Sequence, residues 1–212
     1  MALNGACRTV ETRDRKRAFL IMKLLSAAAL FALCFSLATS SAFAQERVHA
    51  LSGTVTVIHP KIQMTEINTD DGSSGHFEWL TKSNVPIDFN KSISASAVPA
   101  DKFTTIGTHA IIYFIGDGDV RTIVALHDLG TGPLVNSTGA VIKWDKHDHL
   151  LTIKNTKGGE ESFQVDANTV ADTPTGVMDN LKFDLNKKDM VRVVALQANG
   201  SQTALLITPV NF

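Results

Sequence analysis

The sequence predicts an all-β protein built as two tandem, small, five-stranded OB-like barrels, with two small β-sandwiches as the alternative arrangement. Three observations carry this expectation. β-Branched and other apolar residues alternate with polar ones at a period of two over short runs. Glycine-containing turn formers punctuate those runs. Finally, one half of the chain echoes the other in the same order.

The echo fixes the organisation. Ser52-Gly53-Thr54-Val55-Thr56-Val57 aligns with Thr138-Gly139-Ala140-Val141-Ile142-Lys143 at an offset of 86, and Ile67, Gly72 and Phe77 fall on Ile153, Gly158 and Phe163. Further along the offset is 81, so that Ala110-Ile111-Ile112-Tyr113 meets Val191-Arg192-Val193-Val194 and Thr122–Leu126 meets Thr203–Ile207. The expected organisation is therefore an export signal over 1–44, a short lead over 45–50, a first barrel repeat over 51–129, a linker over 130–136 and a second repeat over 137–212.

Strands are expected near Leu51–Ile58, Gln63–Thr69, Gly75–Leu80, His109–Ile115 and Val120–Leu126 in the first repeat. Their counterparts are Gly139–Trp144, Leu150–Asn155, Glu160–Val165, Met190–Leu196 and Gln202–Ile207. Asp71-Gly72, Gly116-Asp117-Gly118, Gly158-Gly159 and Asn199-Gly200 provide residues that tolerate positive φ at the hairpin turns. A long irregular segment joins the third and fourth strands, with a short helical turn expected around Val177–Leu181. Gly130-Thr131-Gly132-Pro133 reads as the linker.

The first 44 residues form a three-part export pattern. Basic residues (Arg13, Arg15, Lys16, Arg17, Lys23) precede an apolar run from Leu24 to Leu37, and Ala42-Phe43-Ala44 supplies the small residues a signal peptidase accepts. The run is short of the ~20 residues that span a bilayer, so no stable anchor is expected after cleavage. Met22-Lys23-Leu24-Leu25 would itself open a compact signal, and Lys16-Arg17-Ala18-Phe19-Leu20 is similar to a twin-arginine motif with lysine in the first position.

The whole chain of 212 residues has a formal net charge of −1, but that value averages two unlike parts. Six of the 20 Lys+Arg, two of the 21 Asp+Glu and both cysteines, Cys7 and Cys34, lie in the signal. The remainder holds 14 basic against 19 acidic residues and no cysteine. An acidic body disfavours nucleic acid as partner. Lack of cysteine excludes a disulfide framework, a thiol nucleophile and a thiolate metal site.

Gly-x-Val at the start of each half, the turn glycine, the Phe77 and Phe163 strands and the final Thr-x-apolar-apolar strand resemble small exported bacterial β-barrel domains of unknown function. The resemblance covers Gly53–Leu126 and Gly139–Ile207; Lys188-Asp189 stands where the first half has Gly107. It implies the fold and export, and it transfers no catalytic residue. Exported copper chaperones with a similar barrel use His, Met and Trp. Met64, His76 and Trp79 lie on matching strands, yet the chain lacks their Trp-x-x-Met-x-Met pattern.

No hydrolase elbow, HExxH helix or phosphate loop is present. Gly72-Ser73-Ser74-Gly75 reads as a turn, and the paired acids Asp70-Asp71 and Glu160-Glu161 are expected in solvated turns. His147 and His149 would point to one side of an extended chain and share a Zn²⁺ or Cu²⁺ ion with Asp145 or Asp148; a polar hairpin turn is the plainer reading. Trp79 and Trp144 are candidates for stacking on sugar rings. The sequence thus leads to a periplasmic or secreted, non-enzymatic binding or interaction module of the cell envelope, without a cofactor, engaging an envelope protein or glycan. A Zn- or Cu-binding protein is the alternative, and a carbohydrate-binding module comes next. Intact-mass analysis of the exported protein should give a chain beginning at Gln45; a mass retaining any part of 24–37 would refute cleavage after Ala44.

Overall fold

The expected alternation shows as burial of every second residue over 64–69, 76–79 and 150–153, whereas 50–53 and 110–113 are buried on both faces. A computed structural model describes residues 45–80, 86–118, 121–179 and 181–210; the expected signal over 1–44, with both cysteines, lies outside them. The elements are β1 (Glu46–Arg47), β2 (His49–His59), β3 (Met64–Thr69), β4 (His76–Trp79), β5 (Ile87–Asp88), α1 (Lys91–Ser96), β6 (Val98–Pro99), a 3₁₀ turn (Ala100–Lys102), β7 (His109–Ile115) and β8 (Thr122–Gly130). They continue with β9 (Leu134–Asp145), β10 (Leu150–Asn155), β11 (Glu160–Gln164), β12 (Val170–Thr173), β13 (Gly176–Met178), β14 (Met190–Ala198) and β15 (Ser201–Pro209).

The first barrel has the order β4-β3-β2-β7-β8 and closes by a parallel pairing of β4 with β8. The second has the order β11-β10-β9-β14-β15, and β11 returns to β15, also in parallel. β6 extends one sheet beyond β8, and the β12–β13 hairpin extends the other beyond β15.

Steep coiling is needed to close so few strands, and β-bulges supply it. In β2, Thr56 is the extra residue between the Val55↔Ile67 and Val57↔Glu66 pairs; in β9, Ile142 is extra between Val141↔Ile153 and Lys143↔Thr152. β8 bulges at Val124 and β15 at Leu205. These positions lie 86 and 81 residues apart, the offsets of the sequence similarity. Beside the first bulge of each barrel, backbones cross closely. A Cβ on Gly53 would stand 2.6 Å from the Asn68 carbonyl oxygen, and one on Gly139 would stand 2.3 Å from that of Lys154.

Each barrel encloses an apolar core. Leu51, Val55, Phe77, Ile112 and Ile123 fill the first, and Leu151, Ile153, Phe163, Val191 and Val193 the second. A third cluster joins them, with Val48, Ile93, Ile111 and Tyr113 of the first half against Val170, Val177, Val194 and Leu206 of the second.

Two expectations are corrected. The helical turn at 177–181 is instead β13, followed by Leu181 at positive φ, because Pro174-Thr175-Gly176 turns the chain into a hairpin and β-branched Val170 and Val177 suit its strands. The linker is shorter than 130–136, since β8 runs to Gly130 and β9 starts at Leu134, which pairs with Leu196.

Gly53→Ala and Gly139→Ala should each cost about 1–3 kcal/mol in urea unfolding, because backbone must give way to the new methyl group. Gly132→Ala, where the nearest atom is Leu196 Cδ1 at 3.9 Å, should stay within about 0.5 kcal/mol of the parent.

Candidate functional site

The sharpest histidine cluster of the sequence forms the β9–β10 turn. Asp145 Oδ1 accepts the backbone N–H groups of His147 and Asp148, each at 3.1 Å, and its Oδ2 lies 2.7 Å from Lys143 Nζ. The Lys143 bond, aided by those backbone donors, holds the Asp145 carboxyl down at about 2. His147, Asp148 and His149 are exposed, and His149 takes a left-handed φ of 54°, so the extended chain that would align the two imidazoles is replaced by a turn. Among the described residues no three His, Cys, Asp or Glu side chains converge on a common point.

The two tryptophans are packed rather than displayed. Trp79 is 8% exposed, and its indole N–H donates to Thr65 Oγ1 at 2.7 Å. Trp144 is half-buried with its ring stacked on Phe183, centroids 5.6 Å apart at 13°. In β4, Phe77 and Trp79 point inward while His76 and Glu78 face solvent. Met64 pairs with Glu78 at the edge of that hairpin.

Charged chemistry gathers instead around Asp70 and along the seam between the barrels. Asp70 ends β3 in a partly covered turn and is not a freely solvated acid. Its Oδ2 accepts the Ser52 hydroxyl and lies 2.9 Å from His109 Nε2. Burial opposes its charge, but these two bonds outweigh burial and hold the carboxyl below its ordinary 3.8. The order is serine to aspartate to histidine, with the Ser52 hydroxyl donating to the carboxylate rather than to an imidazole. Glu160 and Glu161 lie in β11 rather than in a turn; Glu161 accepts from Ser137 Oγ and from Asn155 Nδ2. Arg121 is 6% exposed with its guanidinium 4.5 Å from the Phe77 ring centre and 5.4 Å from that of Phe114, and it donates to Ser73 Oγ and the Ser74 carbonyl. The Gly72-Ser73-Ser74-Gly75 turn thus caps this cation.

The seam is pinned by β2 against the β12–β13 hairpin. Val177 N–H donates to the Val48 carbonyl at 2.9 Å, Arg47 donates to the Pro174 carbonyl at 3.1 Å, and His49 Nδ1 lies 3.0 Å from Asp172 Oδ1. Among the described residues this is the one ion pair that joins the two barrels. Asp172 raises the His49 pKa above its ordinary 6.5, and burial raises that of Asp172 although the His49 bond opposes it. Sequence reading could not find this pair, since 123 positions separate its members.

Several concave features among the described residues have room for a ligand, including one of about 460 Å³ lined by Ala171, Pro174, Phe183, Leu185 and Val191 and one of about 350 Å³ lined by Ser52, Arg121, Asp172 and Arg192. A polar groove of about 410 Å³ on the second barrel is lined by Leu150, Glu160, Glu161, Ser162 and Gln164, with Gly200, Ser201 and Gln202 across from them. Gln202 Oε1 is buried with no hydrogen-bond partner. A smaller pocket of about 210 Å³ lies between α1 and the 167–179 segment.

No known protein family matches the chain, and no curated protein matches it. Among solved structures it is similar to Ag(I)CusF, at 15% sequence identity and a TM-score of 0.28, over 35% of this chain and 95% of that one. Among the described residues no helix is long and apolar enough to cross a membrane.

Because both members of the His49–Asp172 pair hold their protons more tightly when folded, the pair stabilises most below pH 6.5, the ordinary histidine value, and its contribution falls as pH rises through the folded-state pKa of His49. His49→Gln should therefore cost about 1 kcal/mol more at pH 6 than at pH 8.5. Thermal melts of both proteins at the two pH values check this; an equal loss at each would remove the imidazole's charge from the account.

Proposed function

We propose that the chain is an exported, non-enzymatic binding module of the cell envelope, formed from two copies of one OB-type barrel. The coincidence of both bulges and both crossing glycines with the 86- and 81-residue offsets supports the duplication. The strand order 1-2-3-5-4 closed by a parallel pair supports the OB-type assignment.

The observation that carries the binding reading is the polar groove of the second barrel. It lies on the second and third barrel strands and beside the turn between the fourth and fifth, where barrels of this type take ligands. Its walls hold carboxylates, hydroxyls and amides and no aromatic ring. The ligand is therefore a polar envelope component rich in hydrogen-bond donors, read by hydrogen bonding rather than by stacking. The Ser52-Asp70-His109 order and the structural use of Arg121 support a role without catalysis.

Affinity capture from envelope extract with the purified exported protein should retain a defined glycan or protein. Ser162→Arg, which fills the groove from an exposed position, should reduce that capture at least tenfold without changing the melting temperature. Equal capture by the two proteins would move the binding surface elsewhere.

A further inference from the structure

The pocket between α1 and the second barrel carries a buried charge that its surroundings leave unbalanced. Asp179 is 5% exposed. Its carboxylate accepts from Asn90 Nδ2 at 2.9 Å and from Ser92 Oγ, both neutral donors. With one donor each, both oxygens keep a lone pair free, and among the described residues no Lys, Arg or His pairs with them. Buried carboxylates normally have a cationic partner or a metal, because desolvation costs several kcal/mol.

A second observation lies close by. Tyr113 is wholly buried, and its hydroxyl has no hydrogen-bond partner. Burial raises its pKa and the charge of Asp179 raises it further, so the phenol stays protonated and the two groups feel each other. Tyr113 packs in the cluster with Ile93 and Val170, which also line the pocket. The remaining walls are suited to an amphipathic guest. Ser92, Ser96 and Asn168 offer oxygen acceptors, and His127, which burial holds below its ordinary 6.5, offers a neutral ring nitrogen. The volume of about 210 Å³ is several times the ~30 Å³ that a water molecule occupies.

We propose that this pocket binds a small alkylammonium ion, its charge held by Asp179 and its carbon chain against Ile93 and Val170. A single carboxylate among scattered hydroxyl and amide oxygens suits the three N–H donors of an ammonium group. A divalent metal would want several convergent hard ligands, which the described residues do not assemble. The site is formed jointly, with α1 and His127 from the first barrel and Ala167, Asn168, Val170 and Asp179 from the second, so its occupant would bridge the two.

Titration of the purified exported protein with n-butylammonium chloride against equimolar sodium chloride, followed by amide NMR shifts, tests this. Saturable shifts are expected at Ser92, Asn168 and Val170, with n-butanol binding at least tenfold more weakly. Asp179→Asn should weaken the ammonium at least tenfold. Ala167→Leu, at an exposed position on the rim, should abolish binding while preserving the spectrum elsewhere, which keeps the test decisive if Asp179→Asn fails to fold. Equal affinity for the alcohol, unchanged affinity in a folded Asp179→Asn, or shifts that map away from the pocket would each overturn the proposal.

Discussion

The close crossing of two backbones at Gly53 and again at Gly139 is the constraint on which both barrels depend. A five-stranded sheet of short strands can close only if its first strand bends sharply enough to pair with the second along one half and with the fourth along the other. The bulges at Thr56 and Ile142 provide the bend, and the glycines let the neighbouring strand come within a distance no side chain would permit. Closure then sets everything else. The third and fifth strands meet in parallel, the Phe77 and Phe163 rings are sealed inside, and the turns that follow are left at fixed rims of each barrel.

Where the two barrels differ is the connection between their third and fourth strands. The first uses α1 and β6 there, and the second uses the β12–β13 hairpin. Both connections turn toward the seam. α1 supplies Ile93 to the shared cluster and Asn90 and Ser92 to Asp179, while the hairpin gives Val170 and Val177 to the cluster and Asp172 to His49. The difference between the halves is thus concentrated where they bind one another.

Ten barrel strands were legible in the sequence because each is a local pattern, an alternation of period two bounded by turn formers. The paired glycines Gly53 and Gly139 were legible too, through the 86-residue offset, whereas the bulges emerged only from the strand registers. The hairpin at 170–178 was not legible, since strands of four and three residues are too short for alternation to register, although Thr173-Pro174-Thr175-Gly176 was a turn signal in plain view. The candidate site was less legible than the fold. His147 and His149 stand out as a string but end in an exposed turn, whereas His49, Asp172 and Asp179 have unremarkable neighbours and acquire their character from partners 87 to 123 positions away. Burial and pairing of that kind leave no local trace in composition.

The seam strand opens the first barrel, and its partners lie in the hairpin between the third and fourth strands of the second. Arg47 bonds across 127 positions and His49 across 123. Contacts of such separation carry the greatest loop-closure entropy, whereas each barrel closes through pairings that lie within its own half. The first barrel can therefore close before Arg47 and His49 meet Pro174 and Asp172. The two barrels then join after each has closed, and until that moment the first-barrel side of the shared cluster, with Val48, Ile111 and Tyr113, stays uncovered.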